Sequence, residues 1–225
     1  MNQIKLLNNY KSEISEQLVS HFRINIFFYV ILFVVLYTII DDKKSVVISF
    51  VMASSIGYIM HVISHDLDFP TLKKILIPNS RTETFFQFVL KQFIELIESH
   101  DKIHHNSSVN KQRYNIAKET LVNILIQGII PFIYTYTFIV LTSYVDLKIF
   151  AFWALLYTSV HIINYTLIYS KTHEEHHINK FTNYGYDIYD IIFKTKSNTN
   201  NIEDINHYSI NAVIIGILFY IFKKY

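Results

Sequence analysis

Nine of the 11 histidines in this chain fall into motifs whose spacing suits one metal chemistry. His61 and His65 stand four apart, His100 is followed by His104 and His105, and His161 precedes the group His173, His176 and His177. On a helix, residues three or four apart share a face with Cβ atoms about 5–6 Å apart, so each motif can aim two or three imidazoles at one point. Neutral imidazole suits iron, zinc, copper and nickel. The set exceeds the four ligands that one tetrahedral zinc takes, and so implies two metal ions.

Such a constellation needs rigid elements, and the rest of the sequence supplies apolar ones. The runs Ile24 to Ile40, Ser45 to Ile63, Leu121 to Val145 and Ile149 to Tyr169 lack Asp, Glu, Lys and Arg, and have 17, 19, 25 and 21 residues. A helix needs about 17–25 residues to cross a bilayer. Four spans are therefore expected. Asp41 to Lys44 joins the first pair and Ser143 to Lys148 the second, so each pair predicts a helical hairpin with its turn on the same side. Outside the spans, 17 Lys and Arg lie on the side of the termini and the central loop, against 3 in the two turns. The positive-inside rule then puts both termini and all the histidine motifs in the cytoplasm, with His161 about 12 Å inside the last span.

This organisation predicts an all-α integral membrane protein. It divides into an N-terminal cytoplasmic segment (1–23), a membrane domain with a histidine-rich helical cap (24–195), and a polar loop with an apolar tail (196–225). A polar stretch of more than 20 residues precedes the first span and no small-residue cleavage site follows it, so that span is not read as a signal peptide. Phe85 to Ile97 mixes apolar residues with Gln, Lys and Glu, which fits an interfacial helix or an ordinary core-facing one equally well. The tail Ile210 to Phe222 is too short to span and is expected to pack or to lie at the interface.

Composition narrows the chemistry. The chain has no cysteine, which excludes disulfides, thiolate catalysis and Cys-based metal or iron–sulfur sites. A net charge of +2 with scattered lysines gives no nucleic-acid signal, and no Gly-rich dinucleotide fingerprint occurs. His21 and His207 lie outside the motifs and read as surface histidines. Asp66, Asp101, Glu174 and Glu175 adjoin ligand candidates and could orient them, although Glu174 and Glu175 read equally well as solvated charges. Asn164, a turn after His161, is a candidate to hold a metal-bound water.

With these residues in view, the chain resembles the fatty acid hydroxylase and sterol desaturase superfamily, membrane non-haem di-iron enzymes with three histidine boxes. The resemblance runs from about Tyr58 to Thr195. It includes Asn183-Tyr184-Gly185, then Asp190, then Phe193-Lys194-Thr195, similar to the family's Asn-Tyr-Gly, later Asp, and Phe-Gly-Thr. Three departures stand out: Val62 replaces a frequent Arg, Lys194 replaces Gly, and Asp101 occupies the first position of a His-x-x-His-His box. His100, one place earlier, gives that box a spacing like that of membrane alkane hydroxylases. His100 and Asp101 thus compete for the missing position, and ligand chemistry favours His100 with Asp101 as its orienter.

The resemblance implies two irons that use O2 to hydroxylate or desaturate a membrane lipid. It also implies electrons from a cytochrome b5 or ferredoxin-like donor with its reductase, an endoplasmic reticulum address, and a supporting role for Asp190. Alkane-type hydroxylation and ether-lipid desaturation are the competing enzymatic readings. A metal-binding membrane protein without oxygenase activity is the competing class.

Overall fold

The computed structural model describes residues 2–76, 84–104, 113–138, 144–168, 170–197 and 201–224. Every element among them is helical. Helix α1 (Asn2–Ile39) is followed by α2 (Lys43–Asp66), α3 (Phe69–Leu76) and α4 (Phe85–His104). The next rod is α5 (Arg113–Ile124), a π-helical turn (Leu125–Ile129) and α6 (Ile130–Phe138). After it come α7 (Leu147–Ser159), a second π turn (Val160–Asn164) and α8 (Tyr165–Ile168), then α9 (Lys171–Ile178), α10 (Asp187–Phe193) and α11 (Tyr208–Lys224).

Four stretches are long and apolar enough to cross a membrane: Ser12–Ile39, Lys43–Asp66, Ile116–Thr137 and Leu147–Asn164. Large apolar side chains stay exposed along them, among them Phe27, Val30, Val34, Val51 and Ile133. A surface of that kind belongs against lipid rather than water. Helices of spanning length and composition thus stand where the spans were expected, with shifted ends. The third begins at Ile116 and its helix ends at Phe138, while 139–143 lie outside the described residues.

Short polar signals fix the ends of these rods. Asp42 caps α2 by accepting from the Lys44 N–H (3.1 Å), and Asp146 caps α7 by accepting from the Lys148 N–H (2.8 Å). Ser49 on α2 accepts from the Asp146 N–H (2.9 Å) and donates to the Tyr144 carbonyl (3.2 Å), which sets α2 and α7 in register. The core they share with α1 holds Phe28, Leu32, Leu36, Phe50, Trp153 and Leu156. Burying a side chain of this size is worth about 1.5–3 kcal/mol. Trp153 donates its indole N–H to Gln127 Oε1 (3.2 Å) on the first π turn. A Cβ at residue 57 would stand 2.4 Å from that same oxygen, so a larger residue than Gly57 would push the Gln127 amide away from Trp153.

One expectation needs correction here. His21 is not a surface residue: it is fully buried, with Nδ1 2.8 Å from Asp187 Oδ2 and Nε2 2.8 Å from the Tyr29 hydroxyl. Asp187 also pairs with the buried Lys196. The Asp187 carboxylate accepts from His21 Nδ1, and the Tyr29 hydroxyl pairs with Nε2. Sequence inspection missed this because the counter-charge lies 166 positions away. The C-terminal tail packs, one of the two placements expected for it. α1 runs unbroken from Asn2 into the first span, α11 packs along it, and Asn25 donates to the Glu203 carbonyl (2.9 Å) and accepts from the Ile205 N–H (2.8 Å).

The helix expected near Phe85 to Ile97 is the first part of α4, and it is not an ordinary core-facing helix. Phe85 (83% exposed) and Phe86 (73%) stand out from it together with Phe88 and Val89, while its far end buries Ser99 and His100. One helix therefore offers an apolar flank outside and delivers an imidazole inside.

Candidate metal centre

Four elements bring imidazoles together. α2 carries His61 and His65 on one face, α4 brings His100, the second π turn brings His161, and α9 brings His173, His176 and His177. A π turn inserts one residue into a helix and re-aims the side chains beyond it, which is why such turns recur at functional sites. Ser170 caps α9 through the His173 N–H (3.5 Å), placing its histidines on the first turns of a short helix.

The tightest group is His61, His65 and His100, all buried, with one ligand atom from each lying within 4.8 Å of the others. His61 Nε2 is 2.9 Å from His100 Nε2 and 3.0 Å from His65 Nε2. In either tautomer, Nε2 offers a single position in the ring plane, a lone pair or an N–H, and here two nitrogens face it. A cation satisfies all three at once. With metal–nitrogen bonds of about 2.1 Å, ligand atoms at right angles lie about 3.0 Å apart and tetrahedral ones about 3.4 Å. The donor set and its spacing therefore fit a metal ion.

A second group adjoins the first. His173 and His177 have their Nε2 atoms 3.0 Å apart, and the His161 ring centroid is 4.8 Å from that of His173. His176 connects the groups, its ring centroid 5.0 Å from that of His65 and 6.2 Å from that of His177. Burial, followed by the neighbouring imidazoles, holds the His173 pKa well below the usual histidine range, which keeps the ring in the neutral form that binds metals.

Neighbouring groups orient these rings. His176 Nδ1 donates to the Thr182 carbonyl (2.7 Å), which leaves Nε2 as the nitrogen with a lone pair. The Tyr157 hydroxyl lies 3.1 Å from His61 Nδ1 and 3.3 Å from the Tyr184 carbonyl. The Tyr165 ring stacks on His173 with centroids 4.2 Å apart.

Asp190 acts one step further out. Its Oδ1 accepts from Tyr58 (2.9 Å), Thr195 (2.5 Å) and the Tyr184 N–H (3.0 Å), and its Oδ2 from the Gly185 N–H (3.3 Å). Burial pushes its pKa up to about 7, against the hydrogen bonds that lower it. It thereby shapes the turn that carries Tyr184, whose ring lies against His61, His65 and His176 and whose phenol burial pushes up to about 12. Gly185 takes φ 141°, and a Cβ there would stand 2.8 Å from the Tyr157 hydroxyl.

Other candidates fall elsewhere. Asp66 and Glu174 are exposed, while Glu175 accepts from Asn183 (3.1 Å) and from Ser197. Asn164 donates to Nδ1 (3.0 Å) and the carbonyl (3.1 Å) of His207, so its amide ties the π turn to the start of α11. His207 is half-buried, a correction to its reading as a surface residue, and burial lowers its pKa. His104 and Asp101 lie on α4 with their side chains outside those described, and His105 lies outside the described residues.

The structure adds residues that the histidine spacing did not signal. Glu119, buried near the start of the third span, places Oε1 3.3 Å from His161 Nε2. Its signal was a lone carboxylate beside an apolar run. Tyr157 had a weaker one, lying four residues before His161.

No protein-family model matches the chain, and comparison with curated proteins and with solved structures yields no match either.

Proposed function

We propose that the chain is a multi-pass membrane non-haem di-iron oxygenase that hydroxylates or desaturates a lipid, with hydroxylation slightly favoured. The observation that carries this reading is the meeting of separate histidine motifs, from α2, α4, α9 and the second π turn, in one buried cluster of imidazoles. His61, His65, His100, His161, His173, His176 and His177 would hold the ions, joined by His104 and His105 from the end of the second box. Bound iron would supply the activation of O2 needed to attack an unactivated C–H bond. The protein's part is to keep the imidazoles neutral and oriented and to keep bulk water from the buried cluster.

The exposed aromatic flank of α4, next to the end that delivers His100, supports substrate entry from the bilayer. The spans pair as hairpins in this reading, with the cluster on the cytoplasmic side, as the 17 to 3 distribution of basic residues favours. A cytochrome b5 or ferredoxin-like donor with its reductase would bring electrons. The endoplasmic reticulum is the proposed compartment.

The test combines iron analysis of the purified chain with lipid profiling of cells expressing it or His176→Ala. Two irons per chain, and a lipid that gains an oxygen or loses two hydrogens only with the unsubstituted protein, are expected. Identical lipid profiles from an iron-loaded protein supplied with a competent reductase would support the non-catalytic metal-binding alternative. Orientation has its own reporter in the sequon Asn106-Ser107-Ser108, which lies outside the described residues. Glycan at Asn106 would place the site in the lumen.

A further inference from the structure

We propose that Glu119 is an oxygen ligand of the second metal ion, which it holds with His161, His173 and His177, so that the two ions have unlike donor sets. The inference rests on the metal reading of the histidine cluster. It adds a residue that no histidine motif contains.

Three observations carry it. First, Glu119 is buried, only 7% exposed, at the start of the third candidate span. A buried carboxylate is costly unless it is paired with a cation or well hydrogen-bonded. Second, its Oε1 approaches His161 Nε2 at 3.3 Å. A charge-assisted imidazole–carboxylate hydrogen bond has a length of about 2.7–2.9 Å. Two ligand atoms sharing one ion, with bonds of about 2.1 Å, lie about 3.0–3.4 Å apart. The observed separation is long for the first arrangement and falls within the range of the second, and the substitutions below separate the two. Third, two further imidazoles adjoin His161: His161 and His173 have centroids 4.8 Å apart, and His173 and His177 present Nε2 atoms 3.0 Å apart.

The consequence is an asymmetric pair. The group His61, His65 and His100 offers nitrogen only. The group containing Glu119 offers nitrogen and one anionic oxygen, a harder set that favours the higher oxidation state of iron. The alternative is that Glu119 merely orients His161 by accepting its N–H. Gln separates the two roles, because its amide oxygen still accepts a hydrogen bond but carries no negative charge.

The experiment loads the full-length protein in detergent with iron-57. It reads iron per chain and the Mössbauer spectrum for the unsubstituted protein, Glu119→Gln and Glu119→His. The unsubstituted chain should hold two irons in two distinct quadrupole doublets. Glu119→Gln should hold one, with a single doublet, the retained ion reporting that the fold persists. Glu119→His, which returns a donor atom to the position, should recover the second ion with an altered doublet.

Two irons and an unchanged spectrum in Glu119→Gln would overturn the role of Glu119 and leave the metal reading standing. No iron in the unsubstituted protein would overturn the metal reading and this inference with it. A single iron there would overturn the inference alone, since no second site would exist. If Glu119→Gln lost both ions, recovery of two in Glu119→His would support the ligand, and failure to recover them would refute it.

Discussion

Two buried polar regions in this molecule contain histidine, and they are built on opposite principles. Around His21, unlike groups meet: Lys196 faces Asp187, Asp187 accepts from His21, and the other ring nitrogen of His21 pairs with the Tyr29 hydroxyl. Each group supplies what its neighbour lacks, so the region is complete as it stands and ties α1 to α10. In the cluster of His61, His65 and His100, like groups meet, nitrogen facing nitrogen at 2.9 and 3.0 Å. Proximity of polar groups therefore does not by itself mark a metal site. Complementarity marks a structural tie, and convergence of identical donors marks a place for a cation.

The largest expected effect tests that contrast. Asp187→Ala removes the nearest counter-charge of the buried Lys196 side chain, leaving only the more distant Glu203, and should cost up to about 3–5 kcal/mol of stability. Chains that still fold should bind metal as before. His65→Ala should show the reverse, losing metal while changing the stability of the metal-free protein by at most about 1–2 kcal/mol. Thermal unfolding and metal content, measured together, check both. Loss of metal in folded Asp187→Ala would break the distinction.

A pH series sharpens the same contrast. Glu203, which accepts from Ser170 (2.8 Å), has its pKa pushed up to about 8, first by burial and then by the charge of Asp187. A carboxyl group whose folded pKa is raised favours folding in its protonated form. Its contribution is thus full below the unfolded value and is lost as pH rises through the folded one. Stability of the metal-free protein should fall between about pH 4.5 and pH 8, and Glu203→Gln should flatten that slope. An equal slope in both proteins would show that Glu203 does not carry it.

The sequence made the metal cluster more legible than the tie. His61 and His65, and His173, His176 and His177, lie within single helical turns, so helix periodicity alone puts them on shared faces. The four apolar runs were legible for the same local reason. The His21 region could not be read because its members, His21, Asp187 and Lys196, come from opposite ends of the chain and no period links them. Glu119 was hidden similarly, since its partner His161 lies on another span. Asn164 misled because one turn from a ligand candidate is also the distance at which a side chain can point away, here to His207.

A smaller effect is expected where the cluster meets its supporting turn. Gly185→Ala imposes a side chain at φ 141° and places its Cβ against the Tyr157 hydroxyl, which lies beside His61 Nδ1. Backbone strain of this kind costs about 1–3 kcal/mol. Displacement of Tyr157 should also weaken metal binding. Gly185→Ala combined with Tyr157→Phe should recover part of the stability, because the clashing oxygen is gone. If the double variant is no more stable than Gly185→Ala, the clash with Tyr157 is not the cause.

The smallest effect should lie wholly on the structural side. Lys194 ends α10 in the left-handed conformation, φ 56°, with the Thr195 N–H donating to the Asp190 carbonyl (3.0 Å). A side chain with a Cβ is strained there, and glycine is the residue that enters this region without penalty. Lys194→Gly should therefore stabilise the protein by about 0.5–1 kcal/mol, net of the greater freedom glycine gives the unfolded chain. Metal content should not change, because Asp190 fixes the turn beside the cluster by its own hydrogen bonds to Tyr58, Tyr184 and Gly185. A raised melting temperature with unchanged metal binding is the expected result. A change in metal affinity would show that the turn and the cluster are mechanically coupled more tightly than those bonds imply.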